Sequence, residues 1–134
     1  MTTHARGTFD VKIMPLKSED SPDQAFKRMS IDKQFHGDIE GTSKGEMLTA
    51  GSNVKDSGVY VAIERVSGTL NGKHGTFLLH HTGIMERGKP HLSINVVPDS
   101  GTAELEGLTG TMNIIISPDG KHSYDFEYSL TASH

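Results

Sequence analysis

A turn signal recurs about every 10–14 residues, with β-type sequence in the intervals between, and this cadence constrains the fold more than any other feature. The signals are Ser18-Glu19-Asp20-Ser21-Pro22-Asp23, His36-Gly37-Asp38, Gly51-Ser52-Asn53, Asn71-Gly72, Gly88-Lys89-Pro90, Pro98-Asp99-Ser100-Gly101 and Pro118-Asp119-Gly120. Gly, Asn and Asp accept the backbone angles of tight turns, and Pro pre-sets them. Short strands at this spacing predict an all-β protein, a sandwich or a barrel. Nothing supports a long helix, a coiled coil or a low-complexity linker.

Eight strands can be traced. The first, Thr8 to Met14, puts Phe9, Val11 and Ile13 on one face. The second, Phe26 to His36, does the same with Met29, Ile31 and Phe35. The third, Ile39 to Ala50, is broken by Gly41 and Gly45, which predict bulges or bends of the kind barrels use at corners. Val59 to Leu70 and Lys73 to Glu86 form the fourth and fifth strands, joined by the Asn71-Gly72 hairpin turn. His91 to Val97 is the sixth. A long connection over 98–110 holds one helical turn near 103–108, and Thr111 to Ser117 and His122 to Thr131 complete the set. The expectation is a single β-barrel domain over residues 1–134, an eight-stranded antiparallel barrel. A barrel of that size is filled by side chains or holds one small ligand.

The bulk numbers narrow the partners. Net charge is −4 and the basic residues never cluster, so neither nucleic acid nor an anionic membrane is an expected partner. No apolar run approaches the ~20 residues of a membrane helix. Cysteine is absent, which removes disulfides, thiolate zinc sites and a cysteine nucleophile. The first seven residues carry no signal-peptide pattern, and the plain expectation is a soluble cytoplasmic protein. No Gly-x-Gly-x-x-Gly stands between a strand and a helix, and neither a Walker loop nor a Gly-x-Ser-x-Gly elbow occurs, so no cofactor is expected.

The hairpin turn fixes a register. With a two-residue loop Leu70 faces Lys73, so Val66 faces Phe77, Glu64 faces Leu79, Ala62 faces His81 and Tyr60 faces Gly83. Period-two alternation puts these residues on one face, with Glu64 and His81 as diagonal neighbours. A carboxylate beside an imidazole inside an apolar barrel is an acid/base or ligand-orienting pair, or else a structural ion pair. The eighth strand adds an aromatic stripe, Tyr124, Phe126 and Tyr128, which reads as core or as a pocket wall with phenol hydroxyls. A three-residue Pro118-Asp119-Gly120 loop sets Ile114 opposite Tyr124 and Met112 opposite Phe126. The candidate ligand-binding residues are therefore Tyr60, Glu64, Phe77, His81, Tyr124, Phe126 and Tyr128.

Two further features are weighed. His80 and His81 are adjacent on a strand and point to opposite faces, so they cannot chelate one ion, and no metal site is expected. Asp10 and Asp32 share faces with Lys12, Arg28 and Gln34 and belong to a solvated exterior. The apolar exterior of the fourth strand, Val59, Val61 and Ile63, calls for cover by the long connection or by another subunit.

Four stretches taken together, Met29 to Asp38, Gly41 to Met47, Tyr60 to Val66 and Val97 to Thr102, resemble a bacterial domain-of-unknown-function family, over nearly the whole chain from Gly7 to Tyr128. The resemblance implies an allene oxide cyclase-like, lipocalin-like barrel and self-association into a homo-oligomer, and it implies no activity. A cysteine contributes to the cyclase's pocket and this chain has none, so no cyclase residue is carried across. Three functions follow from the sequence: a barrel binding a small, largely apolar ligand in its interior; a cofactor-free isomerase, cyclase or hydrolase using Glu64 and His81, with no other catalytic residue assignable; or a structural oligomeric barrel without ligand.

Overall fold

Alternating apolar and polar residues give each strand one face that must leave water, and eight such strands hide it by curling shut. The computed structural model describes residues 2–16 and 26–130. Its strands are β1 (Thr3–Pro15), β2 (Phe26–Gly37), β3 (Ile39–Gly51), β4 (Gly58–Leu70), β5 (Lys73–Glu86), β6 (Lys89–Val96), β7 (Leu108–Ile116) and β8 (His122–Leu130). All neighbours are antiparallel, in chain order, and β1 pairs with β8 to close an all-β, eight-stranded barrel. The turn signal over 18–23 and the end of the eighth strand at Thr131 lie outside the described residues.

Both turn-derived registers hold: Val66 faces Phe77 and Ala62 faces His81 across β4–β5, while Met112 faces Phe126 and Ile114 faces Tyr124 across β7–β8. Three expectations are corrected. β1 begins at Thr3, five positions before the apolar alternation starts at Thr8, because residues 3–8 pair with Tyr128 to Ser123 and close the cylinder. β7 begins at Leu108, so the connection is shorter than expected and its helical turn is a single 3-10 turn, Ala103–Leu105. Gly41 and Gly45 make no bulge, since the pairing runs unbroken through both. At Gly45 a Cβ would lie 2.6 Å from the Cα of Glu64, so the missing side chain makes room for the neighbouring strand.

The two ends of the barrel differ. At one end the 3-10 turn folds across the opening and its buried Leu105 acts as a plug. It sits so close to β5 that a Cβ on Gly75 would lie 2.2 Å from the carbonyl of Thr102. Beneath the plug lies a solid core that includes Phe35, Ile39, Leu70, Phe77, Leu108, Phe126 and Tyr128. At the other end the inward-facing residues Ile13, Met85, Leu92 and Ile116 stand 42–63% exposed. Among the described residues, this end is an apolar mouth open to solvent.

Closure is uneven. β6 and β7 are matched at one position, Asn95 with Thr111, near the plugged end, and their lengths toward the mouth run unpaired with each other. The Thr111 hydroxyl donates to Asn95 Oδ1 at 2.9 Å, pinning that one position. Outside the barrel, Val59, Val61 and Ile63 remain 41–58% exposed, and the connection that was expected to cover them lies over the plugged end. Together with Arg28, Glu46, Leu48, His80 and Thr82 the last two line an external groove of 680 Å³. No helix among the described residues is long and apolar enough to cross a membrane.

Candidate functional site

Halfway down the barrel four polar side chains break an otherwise apolar interior. They are Lys33 on β2, Ser43 on β3, Glu64 on β4 and His81 on β5, all at inward positions and all buried. Glu64 is their centre. Lys33 Nζ donates to Glu64 Oε2 at 2.9 Å, the Ser43 hydroxyl donates to Oε1, and His81 Nε2 meets Oε2. Burial by itself would raise the carboxyl pKa. The hydrogen bond from His81, the Lys33 charge and the Ser43 hydroxyl outweigh it and hold the group down to about 2. Glu64 is therefore an anion at neutral pH, with each donor satisfying part of the cost of burying it.

Lys33 also lies over aromatic faces, its ammonium 5.1 Å from the Phe9 centroid and 5.8 Å from that of Phe35. Sequence reasoning assigned Met29, Ile31 and Phe35 to the inner face of β2 and passed over Lys33. The same parity would have found it, because a lysine between Ile31 and Phe35 on a buried face needs an anion opposite. Ser43, small and polar on a glycine-broken strand, gave no comparable signal.

Because Glu64 is ionised and already accepts from an ammonium, it can only accept from His81 as well. The imidazole therefore carries a hydrogen on Nε2 and donates it to the carboxylate. Among the described residues Nδ1 has no hydrogen-bond partner, whereas every fully buried side-chain nitrogen or oxygen has one. The free nitrogen of this dyad thus borders open space.

Tyr60 stands next in line toward the mouth, its ring centroid 6.3 Å from that of His81. It lies flat over Gly83, the residue it faces on β5: a Cβ there would fall 2.1 Å from Tyr60 Cε1. Desolvation first, and the Glu64 charge second, raise the phenol above its ordinary pKa, so its hydroxyl stays a hydrogen-bond donor. On the mouth side of Tyr60 is a pocket of 350 Å³, lined chiefly by the inward positions Thr49, Gly58, Tyr60, Gly83, Met85 and Leu92. The larger groove is lined mostly by outward positions, and the inward positions Gly45, Met47, Ala62 and His81 border it as well.

The structure thus brings together Tyr60, Glu64 and His81. It places the other four candidates in the plugged half. Phe77 and Phe126 stack with centroids 5.8 Å apart and planes 2° from parallel, and Phe126 stacks on Tyr128 at 5.4 Å. The Tyr128 hydroxyl accepts from Asn71 Nδ2 at 2.6 Å. The Tyr124 hydroxyl accepts from the Ile39 N–H and donates to the His36 carbonyl, both at 2.9 Å, and desolvation lifts its pKa to about 12. Both phenols are engaged with the protein itself at the β2–β3 and β4–β5 turns. His80 and His81 point out and in respectively, and Asp10 and Asp32 are exposed. No three His, Asp or Glu side chains among the described residues converge as a metal site would require.

Comparison with known proteins locates the chain in a family. A crystal structure of a protein of unknown function from the DUF3224 family of Shewanella oneidensis MR-1 is 44% identical and superposes with a TM-score of 0.91, covering 99% of this chain and 100% of that one. No curated protein matches. The family model described as "Protein of unknown function (DUF3224)" matches residues 5–128, nearly the entire barrel, and the chain belongs to that family.

Proposed function

We propose that this barrel is a binding module for a small, largely apolar molecule with one polar end. The observation that supports it is the open mouth: an apolar pocket of 350 Å³ whose inner wall is Tyr60, with the His81–Glu64–Lys33 network next to it. Small-molecule sites are typically apolar clefts with a few convergent polar groups, and this one lies at the low end of their usual volume. The apolar body rests against Met85 and Leu92, and the polar end meets Tyr60 and His81. Phe77, Tyr124, Phe126 and Tyr128 form the rigid floor and walls behind it. The kinship with allene oxide cyclase-like, lipocalin-like barrels and a cytoplasmic location belong to the same reading.

Native mass spectrometry of freshly purified protein tests this. The expected result is a bound small molecule that leaves on denaturation and is absent from His81→Asn and Glu64→Gln. A clean unliganded mass, with no uptake of medium-chain amphiphiles, would defeat the reading. A second reading, a cofactor-free isomerase, cyclase or hydrolase, draws on the same dyad, because an imidazole oriented by a carboxylate with its other nitrogen free is a general base. Turnover of a bound ligand, lost in both variants, distinguishes it. A third, an assembly role, draws on the external groove with Val61 and Ile63, and the same spectra report the subunit count.

A further inference from the structure

We infer that the mouth pocket continues sideways into a slot between β6 and β7, and that its ligand is larger than the pocket alone, with its far end lodged in that slot. The inference rests on the binding reading above and specifies the ligand's size. Strand pairing supplies the first argument. Pro90, His91 and Leu92 of β6 line the pocket. On one side that wall is held at every position, from Glu86 facing Lys89 to Leu79 facing Val96 across β5–β6. On the other side its matched position is Asn95 with Thr111, beyond the residues that line the pocket. The walls made by β3, β4 and β5 have no such seam, since β3–β4 and β4–β5 are matched along their whole lengths.

The turns supply the second. The β5–β6 turn is tied to the β3–β4 turn: the Gly88 N–H donates to the Asp56 carbonyl at 3.0 Å and the Arg87 N–H to the Ser57 hydroxyl at 2.9 Å. The β7–β8 turn bonds within itself, through Ser117, Asp119 and Lys121. Among the described residues no hydrogen bond joins it to the β5–β6 turn. The β5–β6 hairpin is thus braced toward β4 and loose toward β7, and the barrel wall yields at this seam first.

Side-chain character supplies the third. The inward positions along the two edges are Leu92 and Ile94 on β6 and Met112, Ile114 and Ile116 on β7, all apolar. Leu92 and Ile116 are 47% and 63% exposed, which leaves apolar surface that the end of a ligand would take out of water. The outward positions Ser93 and Asn113 are polar and exposed, so the slot is apolar within and wetted outside. The Thr111 hydroxyl on Asn95 Oδ1 clasps its inner end.

The chain has no cysteine, so the double variant Ser93→Cys/Asn113→Cys can form one disulfide, across the seam at the positions that continue the Asn95–Thr111 register. Two uncharged fluorescent probes read binding to the intact protein at neutral pH: N-phenyl-1-naphthylamine, which fits within the 350 Å³ pocket, and the sterol dehydroergosterol, which exceeds it. Both should bind the native protein. Oxidation of the double variant should leave the naphthylamine unchanged and weaken the sterol about tenfold or more, and a reductant should restore it. Where the disulfide does not form, hydrogen–deuterium exchange of the native protein decides: bound sterol should slow exchange at residues 91–94 and 112–116, and bound naphthylamine should not. Sterol affinity unchanged by the disulfide, exchange at the seam unmoved by bound sterol, or a sterol that stays unbound where the naphthylamine binds each overturns this inference and leaves the binding reading standing. Failure of both probes to bind overturns both.

Discussion

At the scale of single residues, Glu64 carries the largest consequence. Its folded pKa of about 2 lies below the ordinary 4.5, so the folded protein holds this proton less tightly than the unfolded chain does. The stabilisation is present above pH 4.5 and is lost as pH falls from there toward 2. A shift of this size corresponds to on the order of 3 kcal/mol. Urea midpoints measured down the acid range should fall steeply across that window in the native protein, and the step should be much reduced in Glu64→Gln. At neutral pH that variant should be less stable by about 3 kcal/mol or more, because it leaves the Lys33 ammonium buried without its counter-charge. Tyrosine hydroxyls provide a contrast. Tyr124→Phe strands the buried N–H of Ile39 and should cost about 1–3 kcal/mol in chemical denaturation. Tyr60→Phe removes a hydroxyl turned toward the pocket and should leave the midpoint nearly unchanged.

Among the strands, pairing strength is unequal. β4 and β5 are matched along their whole lengths, from Gly58–Met85 to Leu70–Lys73, whereas β6 and β7 share one matched position. Backbone amides of residues 91–94 and 112–116 that face this seam should exchange with solvent far faster than those of β4 and β5, a difference that hydrogen–deuterium exchange reads directly. The contrast also explains what the sequence reveals. Asn71-Gly72 and Pro118-Asp119-Gly120 are turns of defined length, and a turn of defined length fixes every pair in its ladder; hence the β4–β5 and β7–β8 registers and the meeting of Glu64 with His81 were legible. β1 was legible only from Thr8 onward, because residues 3–7 earn their place by pairing with a strand more than a hundred positions away, and local alternation does not register that. Gly41 and Gly45 carried the mark of a bulge, yet their role is close approach, which depends on what the facing strand presents. Lys33 was legible in parity and was hidden by its charge.

Over the whole molecule, the barrel is a cup. One end is filled and stoppered by Leu105, and the other is apolar and open. Leu105→Ala should remove the stopper's side chain from a packed site and lower stability by about 2–5 kcal/mol in denaturant unfolding, with the mouth pocket retaining whatever it binds, since the rigid floor of stacked rings lies between them. The pairing of Thr3 with Tyr128 adds a practical corollary. β1 starts and β8 finishes side by side on the stoppered rim, so any tether, tag or fused partner attached to either of them leaves from the base. Anchored to a sensor chip or a scaffold by that base, every copy would stand upright with its opening toward the bulk, free to sample what flows past.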